Sequence, residues 1–337
     1  MARPRVSVIM ANYNAADYIG AALNSVRGQS VSEIEILLAD DASRDASLSV
    51  ARQAASGDPR LRIIEAFTNA GPAAARNRAL EMATGEWVAI VDSDDIIHPE
   101  RFALMLDEAE NLQTDAVCDD LTYLTEGGVC PKGTLLGTDR PKTPQRLTAT
   151  SFVSAAPDAP QLGYLKPMIR RDALKGLRYR DDIRIGEDHD FYMRFLLNGG
   201  RMHLLPQSYY LYRRHAHSLS HRLHPDDVRA MIAAQDDLLA HYPDLPDDLK
   251  AAFAARRVAL QALLAFETLV QHIKNRRFSR AVHDVIRRPG LLQKLGRVAL
   301  SRAWRKSDAS DQPGAIFGDP SRWSPQDWAR LLGQKVS

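Results

Sequence analysis

Trp87-Val88-Ala89-Ile90-Val91-Asp92-Ser93-Asp94-Asp95 is the stretch that decides the fold. Five apolar residues read as a buried strand, and an acidic cluster begins where the apolar run ends. The same pattern occurs twice upstream. Val6 to Met10 is a strand that runs into Asn12-Tyr13-Asn14, and Ile34 to Ala39 is a strand that runs into Asp40-Asp41. Leu61 to Phe67 supplies a further strand. Helical patterns fill the gaps: Ala16 to Val26, with Ile19, Leu23 and Val26 on one face; Ser43 to Ala55; Pro72 to Ala83, opened by a proline and closed by Gly85; and Pro99 to Leu112. Strands alternating with helices of this length predict βαβ units and a mostly parallel sheet, hence an α/β protein.

In such sheets ligands bind beyond the carboxyl ends of the strands. Any one of the three polar clusters would serve as an N-cap or a turn, since Asn and Asp favour both. Three clusters at three strand ends point to a binding site. Neither a Gly-rich dinucleotide fingerprint after the first strand nor a P-loop is present, which argues against a dehydrogenase and an NTPase. Asp92, Asp94 and Asp95 would repel one another without a cation. Carboxylate oxygens select Mg²⁺ or Mn²⁺, ions that bridge to phosphates. A solvated acidic turn before the Pro99 helix is the alternative.

The chain has 337 residues, with 44 Lys/Arg against 42 Asp/Glu. A net charge of +2 excludes a wholly basic nucleic-acid binder and an acidic disordered chain. That neutrality is a sum of unlike parts: residues 251–310 hold 13 Lys/Arg and 3 Asp/Glu, leaving 31 and 39 elsewhere. Two cysteines, Cys118 and Cys130, suit a reducing compartment. No run of 18 apolar residues exists, and the run after the basic N-terminus is too short for a signal peptide. A cytoplasmic protein is expected.

Beyond the first four strands, Ala116 to Thr125 is strand-like and a Gly/Pro/Thr-rich stretch follows from Gly127 to Pro144. Asp188 to Leu197 is a short helix, His203 to Tyr212 is strand-like, and the chain after Pro225 is almost entirely helical. This divides the chain into residues 1–222 and a basic helical extension, 223–337.

Four segments taken together, Val6 to Asn14, Asp40 to Asp45, Gly71 to Arg78 and Asp92 to Asp95, resemble family 2 glycosyltransferases with the GT-A fold, a Rossmann-like nucleotide-diphospho-sugar transferase core. The likeness covers roughly residues 5–220 and is of the kind found in bacterial exopolysaccharide (succinoglycan-type) transferases. It implies that Ala11 and Tyr13 line the base pocket, that Asp41 hydrogen-bonds the uracil, and that Arg76 lies near base and diphosphate. Asp92 and Asp94 would be the DxD motif, holding ribose and metal, with Asp95 beside them. Two residues depart from the family pattern: Ala11 replaces a common proline and Ala42 a common glycine.

Gly186-Glu187-Asp188-His189-Asp190 opens a helix, where acidic residues suit the helix dipole by themselves. The resemblance adds that an acidic pair here supplies the catalytic base. An inverting transfer needs one carboxylate to take the acceptor's proton as its hydroxyl attacks the anomeric carbon. Asp188 is the expected base and Glu187 the residue that positions the acceptor. Tyr212, Arg213, His215, Ser218 and Ser220 match the family's Tyr-Arg-x-His-x-x-Ser-x-Ser segment, so Arg213 is expected at the diphosphate and His215 at the metal. A solvated strand edge is the alternative for the five histidines between His203 and His224.

Leu291, Leu292, Leu295, Val298, Ala299 and Ala303 make an apolar stripe beside Lys294, Arg297 and Arg305. An interfacial helix on an anionic membrane and a helix packed on the protein both remain open. The reading as a whole is an inverting hexosyltransferase that moves a sugar from a UDP-sugar to a lipid-linked or oligosaccharide acceptor with Mn²⁺ or Mg²⁺. It is expected at the inner face of the plasma membrane, without nucleic acid as a partner. A non-catalytic scaffold and a sugar nucleotidyltransferase are the alternatives. The loop after the first strand, Asn12 to Ala16, lacks the Gly-rich, Arg-containing sequence that a nucleotidyltransferase needs.

Overall fold

The computed structural model describes residues 3–125, 128–137, 141–153, 160–215 and 223–296. These fall into two compact units, one holding the described residues up to 152 and from 160 to 215, the other holding 153 and 223–296.

The first unit follows the predicted alternation. β1 (Val6–Asn12), α1 (Ile19–Arg27), β2 (Ile34–Asp40), α2 (Ser47–Ala55), β3 (Leu61–Glu65), α3 (Pro72–Met82) and β4 (Trp87–Ile90) succeed one another. A two-residue β5 (Ile96–Ile97), α4 (Arg101–Asn111) and the long β6 (Ala116–Thr125) come next. β7 (Gly128–Thr134), β8 (Gln145–Leu147), the short α5 (Ala149–Val153), β9 (Met168–Arg170), α6 (Glu187–Leu197) and β10 (Met202–Arg213) complete it.

The ten described strands form one sheet, with the order β3-β2-β1-β4-β9-β6-β10-β5, β7 hydrogen-bonded to β6 and β8 to β10. β1 to β4, β6 and β10 run in one direction, and β9, β5, β7 and β8 run against them. The pattern reading did not contain β5, β7, β8 or β9, and of these β9 changes the sheet's interior. Its three residues are inserted between β4 and β6, antiparallel to both, and it carries the chain straight from Lys166 into the sheet. The Gly127–Pro144 stretch, read as irregular, contributes β7 and closes a hairpin on β6.

The core follows from the periodicities. β1 and β4 are buried on both faces, as central parallel strands must be. Ile19, Leu23 and Val26 of α1 are fully buried, as the helical spacing predicted. α3 packs on β1 and β2 through Ala73, Ala75 and Ala79, small side chains that let the helix lie close to the sheet. α2 starts four residues later than its pattern suggested, because Asp40 and Asp45 hold the preceding loop. Asp40 accepts from the Ser43 amide (2.9 Å) and Asp45 from the Ser47 amide (2.9 Å) and the Ala16 amide (3.0 Å). Ala42, within this loop, sits at φ 62°, a conformation that glycine takes without strain, so the departure from the family's glycine carries a local steric cost.

Among the described residues one ion pair is entirely enclosed. Arg101, on α4, and Asp119, on β6, are both 0% exposed. The Arg101 guanidinium donates to Asp119 (Nη2 to Oδ1, 2.7 Å) and to the backbone carbonyl of Lys166 (2.6 Å), and it lies 5.0 Å from the centre of the Tyr210 ring. Asp119 also accepts from the Tyr209 amide (2.9 Å).

The second unit contains α7 (Pro225–His241), α8 (Asp247–Lys274) and α9 (Phe278–Arg287), and helical turns resume over 290–296. His224 caps α7 reciprocally with Asp227. Phe266 and Leu269 of α8, Ala281 of α9 and Leu291 form a small core, with Val285 and Leu295 against it. Leu291 and Leu295 of the predicted apolar stripe therefore face the protein. Leu292, the next member, is exposed, and Val298, Ala299 and Ala303 lie outside the described residues. No helix among the described residues is long and apolar enough to cross a membrane.

Removing one partner of the enclosed pair strands a charge, at a cost of about 3–5 kcal/mol, whereas replacing both by apolar residues of similar size costs less. Asp119→Ala is expected to lower the urea midpoint strongly, and the Arg101→Leu/Asp119→Leu double variant to recover part of the loss.

Candidate active site

The carboxyl ends of β1, β2 and β4, the N-termini of α3 and α6 and the C-terminal end of β10 supply the predicted residues. Two glycines make the helix starts possible. Gly71 precedes α3 at φ 90° and Gly186 precedes α6 at φ 92°, both in the left-handed region.

Asp92, Glu187 and Asp188 meet around two buried cations. Arg76, on α3, binds Glu187 through Nη1 (2.7 Å) and Asp92 through Nη2 (2.9 Å), with Asp188 Oδ1 3.4 Å from Nη1. Lys166 Nζ lies 2.8 Å from Asp92 Oδ2 and 2.9 Å from Asp188 Oδ2. The acidic clusters after β4 and before α6, nearly a hundred residues apart in sequence, thus share the same two cations. Arg76 was predicted to be here, and Lys166 was not. It stands in the irregular stretch before β9 with no motif around it, and its two partners come from other elements.

Burial raises the Asp92 carboxyl, but the charges of Lys166 and Arg76 outweigh it and hold the group below the usual carboxylate range. Glu187 goes the other way: burial, then the neighbouring Asp188 charge, raises it despite Arg76. Burial likewise opposes the charge on Lys166, yet Asp188 and Asp92 more than compensate and keep it protonated. Asp188 Oδ2 is taken by Lys166, while Oδ1 is buried and accepts no hydrogen bond.

Asp92, Asp94 and Asp95 each turn a carboxylate oxygen toward the others, all within 4.8 Å. They are not equivalent. Asp95 is buried with both oxygens engaged, one accepting from Tyr210 Oη (2.7 Å) and the other from the Arg213 amide (2.7 Å). Burial and the charges of Asp94 and Asp92 push its carboxyl well above the ordinary range. Asp94 is half-buried, and His215 Nε2 lies 2.9 Å from its Oδ2. Arg213 donates from Nε to the Asp94 carbonyl (2.7 Å). Tyr18 packs beside both: its ring centre is 4.6 Å from that of His215 and 5.1 Å from the Arg213 guanidinium carbon. Hard carboxylate oxygens beside one imidazole are a donor set that Mn²⁺ and Mg²⁺ accept. Ser218 and Ser220, from the same predicted segment, lie outside the described residues.

Asp41 is a loop anchor. Its Oδ2 accepts from the Ala70 (3.0 Å) and Gly71 (2.7 Å) amides and its Oδ1 from Arg78 Nη2 (2.8 Å). Three bonds leave about one acceptor position of a carboxylate open. Ala11 is in β1 beside Ala39. Tyr13 lines an open cleft of about 510 Å³ at the ends of β1, β2 and β3, with Asp40, Arg44, Asn69 and Phe67 among its walls. Phe67 is fully exposed (103%) and Tyr13 half exposed (49%), so two apolar rings stand in water at this cleft. The sequence reading placed Phe67 at the end of a strand. β3 stops at Glu65, which leaves Phe67 in the loop.

Carboxylates clustered at the end of β4, an acidic helix start beside them and an open cleft at the neighbouring strand ends sit on a sheet of the GT-A type. Residues 7–129 match the model of glycosyl transferase family 2. Succinoglycan biosynthesis protein ExoO of Rhizobium meliloti is 31% identical over 308 residues, 90% of this chain and 87% of that protein. Succinoglycan biosynthesis protein ExoU of the same organism is 31% identical over 242 residues, 70% and 69% of the two chains. Staphylococcus aureus TarS 1–349 in complex with UDP-GlcNAc shares the fold with a TM-score of 0.61 at 24% identity, covering 76% of this chain and 73% of that one. Mannosyltransferase PcManGT from Pyrobaculum calidifontis, in complex with GDP-Man and Mn²⁺, gives 0.56 at 21%, covering 91% and 83%. The chain belongs to glycosyl transferase family 2.

The Asp92 arrangement predicts a pH signature. Its carboxyl is lower folded than unfolded, so its contribution to stability is full above the unfolded value near 3.9 and is lost as pH falls through the folded one. The stability gap between wild type and Asp92→Asn, measured by denaturant unfolding without ligands, is expected to be constant from about pH 5 to 8 and to close below about pH 4.

Proposed function

We propose that this protein is an inverting hexosyltransferase that uses a UDP-sugar donor, with Asp188 as the base. The observation that carries the reading is the state of Asp188: one oxygen fixed by Lys166, the other buried without a hydrogen bond, beside the Asp92 cluster. In the transfer, Asp188 Oδ1 takes the proton of an acceptor hydroxyl. The freed oxygen pair forms the bond to the anomeric carbon from the face opposite the diphosphate. The bond from that carbon to the diphosphate oxygen breaks, and UDP leaves with the electron pair. A carboxylate placed between Lys166 and Arg76, with one oxygen free of hydrogen bonds, suits this single displacement. Glu187, on the same turn and bound to Arg76, orients the guanidinium and the acceptor side of the site.

Asp94, Asp92 and His215 would hold a Mn²⁺ or Mg²⁺ ion, with Asp95 as the fixed support behind them. When bound, the ion supplies charge neutralisation at the leaving diphosphate. Arg213, above Tyr18 and next to Asp94, is assigned to the diphosphate. Ala11, Tyr13, Asp41 and the exposed Phe67 are assigned to the nucleoside, whose planar base suits the two apolar rings. The S. aureus structure with UDP-GlcNAc and the P. calidifontis structure with GDP-Man and Mn²⁺ support a nucleotide-sugar donor and a divalent ion. The two succinoglycan relatives support a place in polysaccharide biosynthesis, with a saccharide acceptor on a lipid carrier met at the inner face of the plasma membrane.

Asp188→Asn is expected to lower kcat by about 10²–10⁴-fold, the usual span for a lost general base, with donor affinity within a few-fold of wild type. A variant that transfers sugar at the wild-type rate removes Asp188 as the base. Chelation is expected to abolish transfer and added Mn²⁺ to restore it. Asp94→Ala is expected to require at least about tenfold more Mn²⁺ for half-maximal rate.

A further inference from the structure

We propose that α9, Phe278–Arg287, is a docking face for an anionic lipid bilayer. At 3.6 residues per turn, Phe278, Val282 and Ile286 fall within an arc of about 80°. All three are exposed, at 61%, 57% and 71%, and Leu292, just beyond the helix, is 57% exposed. They are not spare core residues. The adjoining arc of the same helix, Ala281 and Val285, already packs on Phe266, Leu269 and Leu291. The helix therefore has one apolar edge committed to the protein and a second standing in water.

The charges around this edge select the partner. Lys274, Arg276 and Arg277 precede the helix and Arg288 follows it, while Arg280 and Arg287 lie about 140–160° round the helix from the edge, all exposed. None of the six has an ion-pair partner among the described residues. The one carboxylate of α9, Asp284, is occupied by His272 Nδ1 at 2.7 Å. A protein partner of ordinary composition would have to supply acids for an unbroken set of cations. A bilayer with anionic headgroups supplies them over its whole surface, while its hydrocarbon edge takes Phe278, Val282 and Ile286. At ten residues, about 15 Å, the helix is too short to span and would lie flat in the interface. This face takes in Leu292 of the Leu291–Ala303 stripe, whose other described members, Leu291 and Leu295, face inward. The proposal deepens the reading of a lipid-linked acceptor given above, but it is tested without any substrate.

The test is flotation of the full chain with vesicles of phosphatidylcholine, with and without phosphatidylglycerol. The expected result is binding to the anionic vesicles only, weakened by salt. Val282→Ser/Ile286→Ser and Arg276→Gln/Arg277→Gln/Arg288→Gln are each expected to reduce partitioning about tenfold or more. Val258→Ser removes an equally exposed apolar residue of α8, about 22 Å along that helix from Ile273, and should change nothing. No binding of the wild-type chain to anionic vesicles, equal loss with Val258→Ser, or salt-insensitive binding to both vesicle types overturns the proposal. So does a concentration-dependent dimer that Ile286→Ser dissolves without any vesicle binding, since the face then belongs to a second copy. A chain that floats with vesicles yet transfers sugar only to free saccharides would overturn the lipid-linked acceptor reading and leave the docking face standing.

Discussion

Arg76 and Lys166 are cations taken out of water, and a buried cation is tolerable only where carboxylates surround it. Asp92, Glu187 and Asp188 meet that requirement, and in doing so they draw four separate pieces of chain together: α3, the end of β4, the lead-in to β9 and the start of α6. The position of the sheet's one inserted antiparallel strand follows from the same cluster. β9 begins two residues after Lys166, so the strand and the cation are placed together. Three carboxylates against two cations leave the cluster with one excess negative charge if all are ionised. The raised Glu187 carboxyl is the group on which that imbalance falls.

Behind this cluster lies a second layer that touches no solvent. Arg101 holds the Lys166 carbonyl and the Asp119 carboxylate, and its guanidinium lies close to the Tyr210 ring. Tyr210 in turn donates to Asp95 and accepts from the Asp92 amide at 3.1 Å. The backbone of the acidic loop and the backbone of Lys166 are therefore fixed by neighbouring groups in one buried network. A site that must place carboxylates to within a fraction of an ångström depends on such support.

How much of this was legible depends on whether the signal was local. The βαβ alternation was legible because burial repeats every second residue in a strand and every third or fourth in a helix, as Ile19, Leu23 and Val26 illustrate. Asp92, Asp94, Glu187 and Asp188 were legible because acidic residues stand at an element's edge. The pieces that were not legible are short or non-local. β5 and β9 have two and three residues, too few for a period. Lys166 has nothing beside it in sequence that marks it, since its partners are 74 residues before it and 22 after. The free edge of α9 was masked for a related reason. Phe278, Val282 and Ile286 have the spacing of an ordinary core stripe, and only the fold shows that Ala281 and Val285 fill that role.

The sequence by itself determined the class of fold, the strand ends at which acidic residues gather and the membership in a family, because these rest on local periodicity and on motifs a few residues long. The tertiary structure alone decided which charges neutralise which. It gave Asp188 one bound and one unbonded oxygen and turned Asp95 inward to Tyr210 and Arg213, while the turn toward Asp94 went to His215. Pairing of buried charges is set by distances between segments far apart in the chain, and no local rule of sequence encodes those distances.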